Sequence, residues 1–293
     1  MKKIFLTGST GFIGRNVKEF LQGRYLLFAP PREELDLLDK EAVRHYMEAH
    51  RVDTLIHAAI TPGHRNAPDL EDTGRKNLDM FFNLLAQQDF FGRLILLGSG
   101  SEYDISRNLS RVGEKDLPPE APTDQGGYAK YIQSQYAEGS DKILNLRPFG
   151  VFGKYEDYQI RFISNVICKS LFDLPLTIKQ NRLFSYIYVG DLCRIIEHFI
   201  ENTGRHKNYN AVPDGTVDLL SLANMVKTIS GKELDIMVKT PGMGLEYTGS
   251  NARLRGELNG FVFTPLETAV RELYQWYSQN KDKIEYDRLL VDP

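Results

Sequence analysis

Along the first half of the chain, short runs of consecutive apolar residues alternate with stretches whose apolar residues recur every three or four positions. The continuous runs fall at residues 3–6, 25–28, 54–57, 94–97 and 143–146. Runs of this kind suit strands covered on both faces. The stretches at 12–21, 40–49, 78–87 and 128–137 have helical periodicity. Strand then helix, repeated, predicts an α/β fold built on a parallel, doubly wound sheet. Asp39, just ahead of Lys40-Glu41-Ala42, supplies an N-cap. After about Phe149 the pattern loosens. Helices are predicted there at 161–171, 192–200, 219–229 and 267–279, with short strands at 176–178, 186–189 and 234–238. These read as a smaller lobe of mixed elements. The chain shows neither a linker nor an internal repeat.

The turn after the first run adds chemistry to this outline. Thr7-Gly8-Ser9-Thr10-Gly11-Phe12-Ile13-Gly14 follows Lys3-Ile4-Phe5-Leu6 and leads into the first helix. Glycines spaced in this way between a strand and a helix are the fingerprint of a dinucleotide-binding Rossmann fold. Gly8 permits the tight turn, Gly11 lets backbone amides approach a pyrophosphate, and Gly14 lets the helix pack close to the strand. The helix N-terminus turns its positive dipole end toward the phosphates. Ser9, Thr10, Phe12 and Ile13 belong to the same turn and are expected to line the cofactor. The expected division is a dinucleotide-binding domain over 1–150, with parts of 180–215 returning to it. Residues 151–293 form a mostly substrate-binding lobe.

Composition changes this picture little. The chain has 293 residues, 42% of them hydrophobic and 26% charged, as in an ordinary globular protein. A net charge of −3 gives no sign of a nucleic-acid binder. Cys168 and Cys193 lie in apolar helical patterns and fit neither a metal motif nor a redox pair. They read as buried thiols in a reducing compartment. No metal site is expected. No run approaches the ~18 apolar residues of a membrane helix. Met1-Lys2-Lys3 resembles a signal n-region, but the apolar run behind it ends after four residues. A cytoplasmic location is expected.

Several further motifs occur in one order. His57-Ala58-Ala59 follows the third strand, and Asn77 precedes the third helical stretch. Gly98-Ser99-Gly100-Ser101-Glu102-Tyr103 follows the fourth strand. Leu146-Arg147-Pro148-Phe149-Gly150-Val151-Phe152-Gly153 and Arg182-Leu183-Phe184-Ser185-Tyr186-Ile187-Tyr188-Val189-Gly190-Asp191 come later. With the glycine turn, these segments resemble the extended short-chain dehydrogenase/reductase family over nearly the whole chain. Within it, the nucleotide-sugar epimerases, dehydratases and 4-keto-reductases are the most similar. The resemblance implies that Ser99 is the catalytic serine, hydrogen-bonding the oxygen of the reacting carbonyl. Ser101 beside it would contact the substrate. Ala58, Ala59, Asn77 and Phe149 would border the cofactor. His57 reads as a packed imidazole with no catalytic role.

The departure from that family lies in the general acid. Its Y-x-x-x-K pattern falls on Pro122-Thr123-Asp124-Gln125-Gly126-Gly127-Tyr128-Ala129-Lys130-Tyr131. In one register Tyr128 is the acid and Ile132 stands where lysine belongs. In the other, Lys130 is the lysine and Gly126 takes the place of tyrosine. The second needs a single mismatch, against P-x-D-x-Y-G-Y-S-K-Y, and is preferred. Lys130 would still hold the nicotinamide ribose, but the phenol that exchanges a proton with the substrate is missing. Two glycines at a helix start also cost roughly 1 kcal/mol each against alanine, so Gly126 is not there for stability. Every other site residue that can be checked is kept, which favours a replaced tyrosine over a naturally degenerate member.

After the second strand, Phe28-Ala29-Pro30-Pro31-Arg32 has no carboxylate placed for a ribose 2′-hydroxyl. Arg32 suits a 2′-phosphate, which tips the expectation slightly toward NADP over NAD. Asp36-Leu37 resembles a pair that lies under the adenine in the family, and Asp36 alone also reads as a turn residue. By the same resemblance Arg182 would bind the substrate diphosphate, and Arg161 and Asn165 would flank the entry of the nucleotide sugar. Asn251 and Arg253 would follow nearby. The implied activity is hydride transfer at C4 of a nucleoside-diphosphate sugar, as in surface polysaccharide or deoxysugar synthesis. A 4-keto-sugar reductase leads, with this chain impaired by Gly126. A 4-epimerase, a dehydratase in third place, and a catalytically dead binding protein remain alternatives. The family's dimers imply a homodimer through the helices at 78–87 and 128–137.

Overall fold

The computed structural model describes residues 1–61 and 72–291. Its first half consists of β1 (Lys3–Thr7), α1 (Phe12–Leu21), β2 (Leu26–Phe28), α2 (Lys40–His50), β3 (Val52–His57), α3 (Thr73–Leu85), β4 (Phe91–Leu97), β5 (Leu109–Val112), α4 (Gln125–Glu138) and β6 (Ile143–Arg147). There follow β7 (Gly150–Phe152), α5 (Phe162–Leu171), β8 (Leu176–Asn181), β9 (Leu183–Phe184), β10 (Tyr186–Tyr188), α6 (Val189–Glu201) and β11 (Asn208–Asn210). The chain ends with β12 (Val217–Asp218), α7 (Leu219–Ser230), β13 (Ile236–Met243), β14 (Tyr247–Gly249), α8 (Ala252–Glu257), α9 (Leu266–Gln279) and α10 (Tyr286–Leu289).

Six parallel strands form the central sheet, in the order β11-β6-β4-β3-β1-β2. Its register explains the unbroken apolar runs. Phe5 lies opposite Leu55, Leu55 opposite Leu94, and Leu94 opposite Ile143. This row faces one helical layer, where it packs with Val43 and Met47 of α2 and Phe81 and Leu84 of α3. The alternate residues Ile4, Leu6, Ile56, Ile95 and Leu144 face the other layer, with Val17 of α1 and Ile195 and Phe199 of α6. Successive residues of a strand point to opposite faces, so a sheet covered twice needs both sets apolar. A separate core, built on α5, α7 and α9, holds Ile163, Ile167, Leu222, Val226, Val270 and Leu273.

Several boundaries differ from the sequence pattern. α4 begins at Gln125 rather than 128, because the Asp124 carboxylate accepts the Gly127 N–H at 2.7 Å and caps the helix there. Gly126 therefore sits inside the first turn. α3 starts earlier than predicted, at Thr73, and ends at Leu85. The strand predicted at 234–238 lies two residues on, as β13. β11 carries no apolar run, since Asn208-Tyr209-Asn210 reads as polar, yet all three residues are buried. The capping role of Asp39 is observed, with its carboxylate accepting from Glu41 and Ala42. Both cysteines are buried. Among the described residues no helix is long and apolar enough to cross a membrane.

Candidate active site

The carboxyl edge of the sheet collects the predicted residues. Gly8 stands at a φ of +69°, and a side chain there would meet Ala59 N at 2.6 Å. A side chain on Gly14 would strike Gly8 O at 1.9 Å. Both glycines are thus required by the close approach of β1, α1 and the end of β3. Gly11 differs, because its nearest obstacle is Gly8 O at 3.5 Å. Among the described residues nothing else lies within 4 Å of that position, and the N-terminus of α1 starts there. An open helix N-terminus behind a glycine turn forms a cradle that fits the pyrophosphate of a dinucleotide.

The neighbouring side chains shape the cradle. Ser9 is buried and donates to Ala29 O at 3.0 Å and Pro30 O at 3.2 Å, so its hydroxyl ties the turn to the end of β2. Thr10 is exposed, whereas Phe12 and Ile13 are half-buried. Ile13 packs into the core beside α6. Asn77 uses its amide on Thr61, accepting from the backbone N–H at 2.6 Å and donating to the carbonyl at 3.2 Å. It shapes the loop after Ala58 and Ala59. Beyond β2, Arg32 is exposed and pairs with Asp36 at 3.2 Å. Asp36 also accepts the Leu38 N–H, as a turn residue does. The Leu37 side chain is buried against the core, and its carbonyl accepts from the Asn83 amide at 2.8 Å.

Across the cradle, Ser99 follows β4. Its Oγ accepts the Ser101 N–H at 3.1 Å, which orients the hydroxyl and leaves its own proton for another acceptor. A buried polar group lies beneath it. Glu102 accepts the Ser99 N–H at 3.0 Å and forms an ion pair with Arg147, and both side chains are almost wholly buried. Asn145 donates to both Glu102 oxygens and to Asn208. Sequence reading quoted Glu102 and Arg147 inside motifs but gave them no role. An arginine ending a buried apolar strand was the available signal, because it demands a counter-charge.

Lys130 comes from α4 to the same edge, where its ammonium donates to Leu97 O at 2.7 Å. Burial brings its pKa down to about 8, against the opposing pull of Glu102. His57 is fully buried at the end of β3, with Nδ1 bonded to Thr7 Oγ1 at 2.9 Å. Burial, helped by the charge of Lys130, lowers its pKa to about 3, so it stays neutral. Gly126 and Lys130 lie on one face of α4, a turn apart. Among the described residues, a Cβ added at 126 would meet only Asp124 Oδ1, at 3.5 Å. Tyr128 is exposed. Phe149 is buried against Tyr103 and Tyr247, and the Tyr247 hydroxyl lies against Gly100, a neighbour that sequence reading did not find.

The residues assigned to the substrate are less uniform. Arg182 lies over the Phe184 ring at 4.9 Å. Arg161 is exposed at the N-cap of α5. Asn165 is fully buried, and its amide donates to Tyr158 O, so it orders that loop instead of facing a cleft. Arg253 is drawn to Glu114 at 3.7 Å and donates to Asn208 O. It anchors α8 to β11. Asn251 is held by Val212 O and Asp214. The reason is shared by these three: each polar head has found a partner within the protein.

A parallel Rossmann sheet with a glycine turn, a serine and a half-buried lysine on one carboxyl edge defines a nucleotide-dependent enzyme of the short-chain dehydrogenase/reductase type. Residues 4–211 match the model of the NAD dependent epimerase/dehydratase family, and the chain belongs to that family. Among curated relatives, GDP-L-colitose synthase of Yersinia pseudotuberculosis is 23% identical, over 96% of this chain and 99% of the relative. GDP-L-fucose synthase of Dictyostelium discoideum is 21% identical, over 95% and 96%. A solved structure of similar fold is the NADP-bound GDP-mannoheptose C4 reductase of Campylobacter jejuni, with a TM-score of 0.78 and 19% identity. That match covers 94% of this chain and 98% of the reductase.

Proposed function

We propose that this protein is an NADPH-dependent reductase of a 4-keto sugar carried on a nucleoside diphosphate, with GDP as the favoured nucleotide. One observation carries the reading. The ammonium of Lys130 is anchored on Leu97 O, two residues before Ser99 at the carboxyl end of β4, on the same sheet edge as the open turn at Gly11. The names of the full-length relatives supply GDP and, in one case, reduction at C4. Arg32 supplies the preference for a 2′-phosphate.

A bound reduced nicotinamide supplies hydride. The chain's own residues do the rest. Ser99 donates to the C4 oxygen and stabilises the charge that develops there. Lys130 holds the ribose side of the cofactor, and Arg182 meets the substrate diphosphate. Because Gly126 supplies no phenol, turnover is slow. α3 and α4 pack together beside an exposed Tyr136, and a homodimer would use this face.

The test is a stopped assay of the purified chain with NADPH and a panel of GDP-linked and other nucleotide-linked 4-keto hexoses. Loss of the reduced-nicotinamide absorbance, with formation of the 4-hydroxy sugar, supports the reading. Interconversion of 4-hydroxy epimers without net oxidation of the cofactor would replace it with a 4-epimerase.

A further inference from the structure

We propose that Lys130 is itself the proton donor in this chain, reaching the C4 oxygen across the space that Gly126 leaves; this rests on the reductase reading above. The two residues share a face of α4, one helical turn apart. Among the described residues a Cβ at position 126 would have a single neighbour within 4 Å, Asp124 Oδ1 at 3.5 Å, so Gly126 leaves room there that the proposal fills with the substrate oxygen or one water. The ammonium is anchored by its bond to Leu97 O at 2.7 Å, two residues ahead of Ser99. An ammonium has three donors, so two remain.

The other phenols nearby serve elsewhere. Tyr103 donates to Asn210 Oδ1 at 2.9 Å. Tyr131 donates to the carbonyls of Pro118 and Pro119. Tyr128 lies roughly 200° around the helix from position 126. Tyr247, with its hydroxyl against Gly100, is a further competitor. Among the described residues, the charged or titratable groups bearing on Lys130 are Glu102, already paired with Arg147, and neutral His57. Burial brings the ammonium to a pKa of about 8, where it gives up a proton far more readily than an ordinary lysine.

The step balances. Hydride from the reduced nicotinamide adds to C4, and the nicotinamide is oxidised. The C4–O π pair moves to oxygen. That oxygen takes a proton from the Lys130 ammonium, directly or through one water, and the neutral amine regains a proton from solvent.

Two measurements test this. In the cofactor-free protein, the Nζ resonance of 15N-lysine should report a group titrating near 8 that Lys130→Arg removes; an ordinary lysine value of about 10.4 overturns the proposal. With NADPH and the 4-keto panel, turnover should fall as pH rises through that same value. Lys130→Met should lower turnover by at least about 100-fold. Lys130→Arg should lose the alkaline limb while remaining folded, which thermal unfolding verifies for both variants. Turnover that survives Lys130→Met, or that only Tyr247→Phe abolishes, overturns the proposal. If this chain is silent while Gly126→Tyr turns over, the proposal falls and the reductase reading stands. If both are silent, both fall.

Discussion

The backbone N–H of Ser99 donates to Glu102 at 3.0 Å, so the serine turn is fixed by a carboxylate that is itself fully buried and ion-paired to Arg147. Such a pair need not stabilise the fold against an apolar replacement, but breaking it leaves a buried charge. Glu102→Ala should therefore cost about 3–5 kcal/mol in urea unfolding. Adding Arg147→Met to that variant should recover part of the loss. If the single variant unfolds at the parent's urea concentration, the pair does not hold the serine turn.

The elements whose burial is two-sided were legible, because an unbroken apolar run has few other meanings. The glycine turn was legible because Gly8 and Gly14 answer steric demands that no other residue meets. β11 was not, since its buried asparagines are satisfied by Glu138, Glu102's partner Asn145, and Tyr103, all distant in sequence. Of the Ser99–Glu102–Arg147 chain only the Glu102–Arg147 half shares that reason; the Ser99–Glu102 half is a local capping box. Asn165 and Arg253 show the converse. Their spacing matched substrate contacts, but partners within the protein hold them, the nearby Tyr158 O for Asn165 and the distant Glu114 for Arg253.

Arg32 is exposed and, among the described residues, paired with Asp36 at 3.2 Å. An exposed ion pair of this kind is worth about 0–1 kcal/mol. A charge-assisted bond to a 2′-phosphate contributes more, roughly 1.5–3 kcal/mol, so Arg32 should leave Asp36 for the phosphate. Arg32→Ala should weaken NADP binding by that amount in calorimetry and leave NAD almost unchanged. Equal small losses for both cofactors would return Arg32 to the surface.

His57 gives the fold an acid-sensitive point. Its folded pKa, about 3, lies below the unfolded value of about 6.5, so the unfolded chain binds the extra proton between them. Stability should fall as pH drops through that window, by up to about 1.4 kcal/mol per pH unit. His57→Gln should flatten the slope. Urea midpoints at several pH values across the window would show it, and identical slopes for the two proteins would place the acid sensitivity elsewhere.

Gly126→Tyr tests the preferred register directly. The site accepts a side chain, since an added Cβ makes only an ordinary contact with Asp124 Oδ1 at 3.5 Å. The phenol would stand one turn before Lys130, whose positive charge favours its ionised form. A positioned acid of this kind is worth typically ~10²–10⁴-fold, so reduction of the preferred 4-keto sugar should accelerate by about that factor. Dinucleotide affinity should change little, because the cradle at Gly11 lies on β1 and α1, outside α4. Single-turnover absorbance of the reduced nicotinamide measures the rate, and fluorescence titration measures the affinity. If Gly126→Tyr is no faster than the parent on any sugar of the panel, while Tyr128→Phe abolishes the parent's turnover, then Tyr128 is the acid and position 126 is only the first turn of a helix.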